Sequence, residues 1–349
     1  VLVLDGLYIA GAQRHCLELL KVFGRSGLSR VVVALEGGGR WAERFLADCE
    51  HLIVSDGTPV YWSDLRHLVG GVATGLFSAH LMRAAEWTAT TAPEGATCFA
   101  HLHCEPSEHE PVTADWMHSH LHRFDRVFVP ARSTHDALLS LLVASDPLRD
   151  KFLVLPNAIP PESTEAPLGP RKPDAELRVA TVSRIDADKF STSMFIGTCD
   201  SLTARGIRFQ IEVAGDGELL PTLKEAVALR SWARSVRFRG FVNDVKSIYN
   251  WADLVFLPSK RESVPYVLLE ALGYRRPIVG PATGVLSELA ESGLVFLYRP
   301  GDAVGAADAI VRASALAGSD AAPPLLRVPA ASIPDFSEWE RMVSEAYSL

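Results

Sequence analysis

At 349 residues the chain is longer than one hydrophobic core usually serves, so two domains are expected. Its 48% hydrophobic and 22% charged residues exclude a disordered or fibrous protein, and a net charge of −8 excludes the basic footprint of a nucleic-acid binder. No apolar run reaches the ~18 residues of a membrane span, which leaves only peripheral membrane contact through a local basic patch open.

The chain opens on Val1-Leu2-Val3-Leu4, a buried-strand pattern. It lacks the basic flank and small-residue cleavage site of a signal peptide. Without an initiator Met, a few preceding residues are expected to be missing from the sequence. Ala12 to Phe23 is helical in pattern, and Val31 to Leu35 and Leu52 to Val54 read as strands buried on both faces. Gly37-Gly38-Gly39 reads as an ordinary loop after a strand rather than a phosphate cradle. Thr97 to Leu102 is a strand that brings His101 and His103 to its carboxyl end. Six of the 11 histidines lie between His101 and His122. Around His118, His120 and His122 the pattern is helical, so a spacing of two makes these rings diverge and no metal site is expected.

Arg126 to Val129 is the next strand and Ser133 to Val143 the next helix. Prolines at 156, 160, 161, 167, 170 and 173 then break the rhythm, as an interdomain linker would. Strands resume at Leu177 to Val182, Phe209 to Val213, Val236 to Phe238, Leu254 to Leu257 and Pro277 to Val279. A Pro/Ala-rich stretch, Ala321 to Pro334, precedes a last helix from Ser337 to Tyr347. The expected architecture is α/β: two doubly wound, parallel-sheet Rossmann-like domains facing a cleft. They would span residues 1–160 and 177–334, with a linker at 161–176 and a C-terminal helix in 335–349 packing back on the first domain. The five cysteines form no Cys-x-x-Cys pair, which suits a reducing cytoplasm, and Arg outnumbers Lys as in GC-rich bacterial genomes.

Chemistry concentrates after two strands of the second half. Ser183-Arg184-Ile185-Asp186-Ala187-Asp188-Lys189 follows the first. An Arg and a Lys there can neutralise a diphosphate, although two solvated loop cations would look the same. The stretch Pro258 to Ala271 follows another and carries Glu262 at the strand-to-helix turn and Glu270 eight residues on. Close to two helical turns apart, the carboxylates are expected on one side of a helix. The amides of Ser263, Val264, Pro265 and Tyr266 mark a helix N-terminus suited to hydroxyl oxygens, proline itself offering no N–H. A capping acid followed by an exposed helical Glu is the plainer alternative.

These motifs, with Gly11-Ala12-Gln13-Arg14-His15, Val129 to Ser133, Leu155 to Ile159, Ala214 to Glu218, Phe238 to Val242, Ala252 to Leu254 and Phe336 to Glu340, resemble glycosyltransferase family four, retaining enzymes of the GT-B fold. The resemblance extends over most of the chain. It implies that Arg184 and Lys189 hold the donor diphosphate and stabilise its leaving charge. Glu262 and Ser263 to Tyr266 would bind the donor sugar, Glu270 the ribose, and backbone near Val242 the base. Gly11 would let its loop approach the phosphates, and His103, with His101 as second choice, would lie near the reacting carbon. The donor would be UDP- or GDP-linked and the acceptor an unidentified hydroxyl; no metal or other cofactor is required. The chain departs from the pattern at Phe190 and Ala158, where glycine is usual, and at Gly11-Ala12 and Ser263 to Tyr266. Those departures bear on which sugar is carried. A non-catalytic nucleotide-sugar-binding subunit and a sugar-nucleotide epimerase on the same fold are the competing readings.

Overall fold

Among the described residues, runs of β-branched and large apolar residues form thirteen strands in two sheets. The computed structural model describes residues 1–8, 10–68, 75–103, 112–160, 176–260, 262–316 and 333–349. Most of the expected linker, most of the Pro/Ala-rich stretch, Cys104, His109 and Arg261 lie outside the described residues.

The first sheet contains β1 (Leu2–Leu4), β2 (Val31–Ala34), β3 (His51–Val54), β4 (Leu76–His80), β5 (Thr97–His101), β6 (Arg126–Val129) and β7 (Phe152–Val154). Its order is β3-β2-β1-β4-β5-β6-β7, parallel throughout. The second contains β8 (Leu177–Val182), β9 (Phe209–Ala214), β10 (Val236–Gly240), β11 (Leu254–Phe256), β12 (Ile278–Pro281) and β13 (Val295–Tyr298), ordered β10-β9-β8-β11-β12-β13 and also parallel. Helices connect successive strands, because a parallel pair needs a crossover.

Each sheet reverses its strand order once, between β1 and β4 in the first and between β8 and β11 in the second. Crossovers leave such a switch point in opposite directions, and the crevice beyond the strands' carboxyl ends is where open α/β sheets bind ligands. Leu4 pairs with His80 at the first, and Val255 with Ala180 at the second.

The chain divides into two compact units, Val1–Asn157 with Ser337–Leu349, and Ala158–Phe336. Each has its own apolar core, the first around Val3, Val33, Phe77, Cys98 and Val127, the second around Val179, Phe190, Phe195, Ile211 and Phe256. The last helix, Phe336–Tyr347, buries Trp339, Val343 and Tyr347 at a four-residue spacing, one stripe of its surface. Trp339 meets the ring of His15, and Tyr347 meets Phe23, Phe99 and Phe128. Among the described residues no helix is long and apolar enough to cross a membrane.

Candidate functional site

In the second unit the loops after β8 and β11, which carry Arg184, Lys189 and Glu262, meet at the β8/β11 switch point. Ile185 N donates to Asp216 O (3.0 Å) and Leu219 N to Ile185 O (2.9 Å), which ties the loop after β8 to the loop after β9. This approach requires glycine. A Cβ on Gly215 would lie 1.8 Å from Ser183 O, one on Gly217 would lie 2.6 Å from Ile185 O, and both residues hold positive φ. Arg184 rises from that loop with its side chain 47% exposed, paired with Asp186 (2.9 Å) and Asp188 (3.2 Å).

Lys189 is drawn to the loop after β11 by the backbone. Phe190 bridges antiparallel to Ser259, Ser191 N donates to Pro258 O (2.8 Å) and Lys260 N to Lys189 O (3.2 Å). The Lys189 ammonium consequently meets the Glu262 carboxylate in an ion pair. The other Glu262 oxygen accepts from Ser259 Oγ at 2.6 Å. Glu262 is only 1% exposed, and a buried carboxylate is tolerable because both oxygens are engaged. Its backbone is pinned as well: Glu262 N donates to Thr283 Oγ1 (3.2 Å) and Val285 N to Ser263 O (3.0 Å). Gly284 (φ +52°) passes so close that a Cβ there would be 2.2 Å from Glu262 O.

The expected placement of both carboxylates on one side of a helix is corrected by the helix start. The helix runs Tyr266–Gly273 with Pro265 as N-cap, so Glu262 precedes it by four residues and lies in the turn. Proline sets an extended cap conformation here and the turn before it is taken up by the Thr283 and Val285 contacts. Glu270 is on the helix and accepts from Tyr249 Oη at 2.6 Å; burial first and this carboxylate second raise the Tyr249 pKa, keeping the phenol a donor. Ser263, Val264, Pro265 and Tyr266 are partly exposed around this turn, and Val242 is partly exposed just beyond β10. Phe190, where glycine was expected, is 1% exposed and packs on Phe195 with ring centroids 5.9 Å apart. Its side chain turns into the core and leaves the lysine loop's path to the backbone bridge.

In the first unit Gly11 is exposed and begins the helix Gly11–Arg25, whose next turn carries His15. His101 ends β5, 3% exposed, and His103 follows two residues later, partly exposed. His15, His80, His101 and His103 lie ring against ring, with centroids of the His15 ring 5.7, 5.2 and 5.1 Å from the other three. Burial holds all four pKa values below the ordinary imidazole range, that of His103 at about 4, so the rings are neutral at neutral pH.

Sequence reasoning singled out His101 and His103 here and passed over Ser78, His80 and Tyr347. A signal was present: Leu76-Phe-Ser-Ala-His80 ends on a histidine as Thr97-Cys-Phe-Ala-His101 does. Elsewhere His118 pairs with Asp146 (2.7 Å), while His120 and His122 bond to carbonyls one turn back, consistent with the expectation that these three diverge. Gly39 serves packing, since a Cβ there would lie 2.2 Å from Leu7 O.

Residues 176–315 match the family described as Glycosyl transferases group 1. The chain is similar to an alpha-D-kanosaminyltransferase of Streptomyces kanamyceticus, 32% identical over 124 residues, 35% of this chain and 32% of that protein. It spans a quarter to about a third of the length of the curated relatives it matches. Among solved structures it resembles Anabaena Alr3699/HepE in complex with UDP and glucose (TM-score 0.74, 16% identity, 99% of both chains). It also resembles a glycosyltransferase from Rickettsia africae (TM-score 0.72, 13% identity, 99% of this chain and 97% of that one). The fold is therefore that of the GT-B glycosyltransferases.

Proposed function

We propose that this protein is a retaining, metal-independent glycosyltransferase of the bacterial cytoplasm, moving a sugar from a UDP- or GDP-linked donor to a hydroxyl acceptor. The observation that carries the reading is the ion pair of half-buried Lys189 with buried Glu262 at the β8/β11 switch point, inside the segment that matches the glycosyl transferase family. A cation and a carboxylate at that point fit a ligand with an anionic diphosphate next to a polyol. In this reading Arg184 and Lys189 bind the diphosphate and stabilise the charge that grows on it as the glycosidic bond breaks. Glu262 and the turn Ser263 to Tyr266 hold the sugar hydroxyls, Glu270 the ribose, and the backbone at Val242 the base. Gly11 admits the phosphates to its loop, and His103 acts by position or electrostatics near the anomeric carbon.

With Glu262 and Glu270 committed to binding, no carboxylate among these residues is left to act as a nucleophile on the opposite face. The acceptor oxygen then bonds to the anomeric carbon on the face the diphosphate leaves, and the departing phosphate oxygen takes the acceptor's proton. The test is a screen of UDP- and GDP-sugars by thermal shift, then product analysis by NMR with and without EDTA. An α-linked donor is expected to give an α-linked product, unaffected by EDTA. An inverted product removes retention, arrest by EDTA removes metal independence, and failure to turn over any donor removes the enzyme reading.

A further inference from the structure

A line of polar atoms buried in the first unit connects the end of the chain to His103. His103 Nε2 meets His80 Nδ1 at 3.1 Å, and His80 Nε2 meets Ser78 Oγ at 3.0 Å. Ser78 Oγ meets Tyr347 Oη at 2.7 Å, and Tyr347 Oη meets His101 Nε2 at 2.5 Å. Ser78, His80 and His101 are buried strand residues; Tyr347, also buried, comes from the last helix. We infer that Tyr347 is a positioning residue which, through Ser78 and His80, fixes which nitrogen of His103 carries the proton. The functional meaning of that tautomer rests on the role proposed for His103; the coupling itself does not.

Counting protons gives the inference its content. Tyr347, Ser78 and a neutral His80 each own one proton and each touch two neighbours. Filling all four hydrogen bonds with one proton apiece leaves two arrangements. In one, His103 Nε2–H donates to His80, His80 to Ser78, Ser78 to Tyr347, and Tyr347 to His101. In the other every direction reverses, and His103 Nε2 accepts. No intermediate arrangement satisfies every bond, and an unmade bond is costly where the groups are buried. The first arrangement sets the phenol, the more acidic hydroxyl, against the basic imidazole of His101. The second requires the weaker serine donor to serve His80. The first is therefore selected: Nδ1 of His103 is bare, a lone pair ready to accept a hydrogen bond from a substrate hydroxyl.

Metal binding is the other use a histidine cluster suggests, since His15, His80 and His101 bring ring nitrogens within 4.8 Å of one another. Both nitrogens of His80 are already hydrogen-bonded. Its ring stacks on that of His101 at 4.3 Å and 17°, so their lone pairs lie in near-parallel planes and do not converge. The polar line accounts for these contacts as they stand.

The experiment is long-range 1H–15N NMR of the imidazoles in the full chain at pH 7.5, assigned with His103→Gln. Wild type should show His103 protonated at Nε2 and His101 bare at Nε2. Tyr347→Phe keeps the ring packing and deletes the hydroxyl. Ser78 is then free to donate to His80, and His103 should shift toward protonation at Nδ1. Turnover should drop ~10-fold or more, a change of about 1.4 kcal/mol, with substrate KM changing less than about twofold. Ser78→Ala interrupts the line at another atom and should release the same tautomer, which keeps the test alive if Tyr347→Phe does not fold. An unchanged His103 tautomer in either folded variant overturns the inference. Should the tautomer follow Tyr347 while His103→Gln retains full turnover, the coupling is upheld and the role proposed for His103 falls.

Discussion

Arg184 and Lys189 are assigned the same ligand, yet they stand in different surroundings and their variants should part company. Lys189 is the partner of a carboxylate that is 1% exposed, so Lys189→Ala strands a buried charge and should cost about 3–5 kcal/mol of stability. Arg184 is half exposed and its partners are loop aspartates, so Arg184→Ala should change stability by no more than ~0.5 kcal/mol. Both should lose about a hundredfold in rate if they stabilise the leaving diphosphate. Urea melts run beside the kinetics separate the two effects; an Arg184→Ala enzyme with wild-type turnover removes Arg184 from the diphosphate. Arg184, Lys189 and Glu262 were legible in sequence as charged side chains in the loops that follow the strand patterns Leu177 to Val182 and Leu254 to Leu257. Their pairing was not, since Lys189 and Glu262 lie 73 residues apart and are brought together by backbone contacts between their loops, the Phe190–Ser259 bridge among them.

At the scale of elements, the turn after β11 and the helix beyond it divide two tasks. Glu262 belongs to the turn, pinned by Thr283 and Gly284, whereas Glu270 belongs to Tyr266–Gly273 and holds Tyr249. If Glu270 holds the ribose as proposed, Glu270→Ala should chiefly weaken binding of free nucleoside diphosphate, since that contact is made in the ground state. If Glu262 holds the sugar hydroxyls as proposed, Glu262→Gln should keep that affinity and lower turnover, because such a grip strengthens as the ring flattens in the transition state. Calorimetry with UDP and GDP reads the difference, and equal loss in both variants would show Glu262 to be misassigned. Strands with β-branched runs, such as Val31–Ala34 and Leu177–Val182, were plain in sequence. Leu76-Phe-Ser-Ala-His80 was not, having no β-branched residue and two small ones. Phe152–Val154 and Val295–Tyr298 also escaped notice, but Leu76–His80 is the one of the three that carries Ser78 and His80. The helix start was legible, since Ser263 to Tyr266 reads as a helix N-terminus and Pro265 is the N-cap; carrying helical spacing back to Glu262 failed, because that turn is held by Thr283 and Val285, remote in sequence.

Across the whole molecule the buried histidines make one unit acid-sensitive. His15, His80, His101 and His103 belong to the unit Val1–Asn157 with Ser337–Leu349, and burial lowers the pKa of each in the folded state. Unfolded, they titrate at about 6.5, so between that value and each native pKa (about 4 for His103) the unfolded chain binds more protons. Stability is full above pH 6.5 and is lost as pH falls, at up to about 1.4 kcal/mol per pH unit for each histidine. Denaturant melts at pH 7.5, 6 and 5 should show one transition moving to lower denaturant while the other, from the unit with the family match, moves less and responds to nucleoside diphosphate. Equal movement of both would remove this account. The division of the chain bears also on how the protein is made. Ribosomes synthesise from the N-terminus, so Ser78, His80 and His101 emerge long before Tyr347, and the whole of Ala158–Phe336 is translated in between. The first unit is thus interrupted by the second, and Ser78 and His101 find the Tyr347 hydroxyl only after Ala158–Phe336 has been translated.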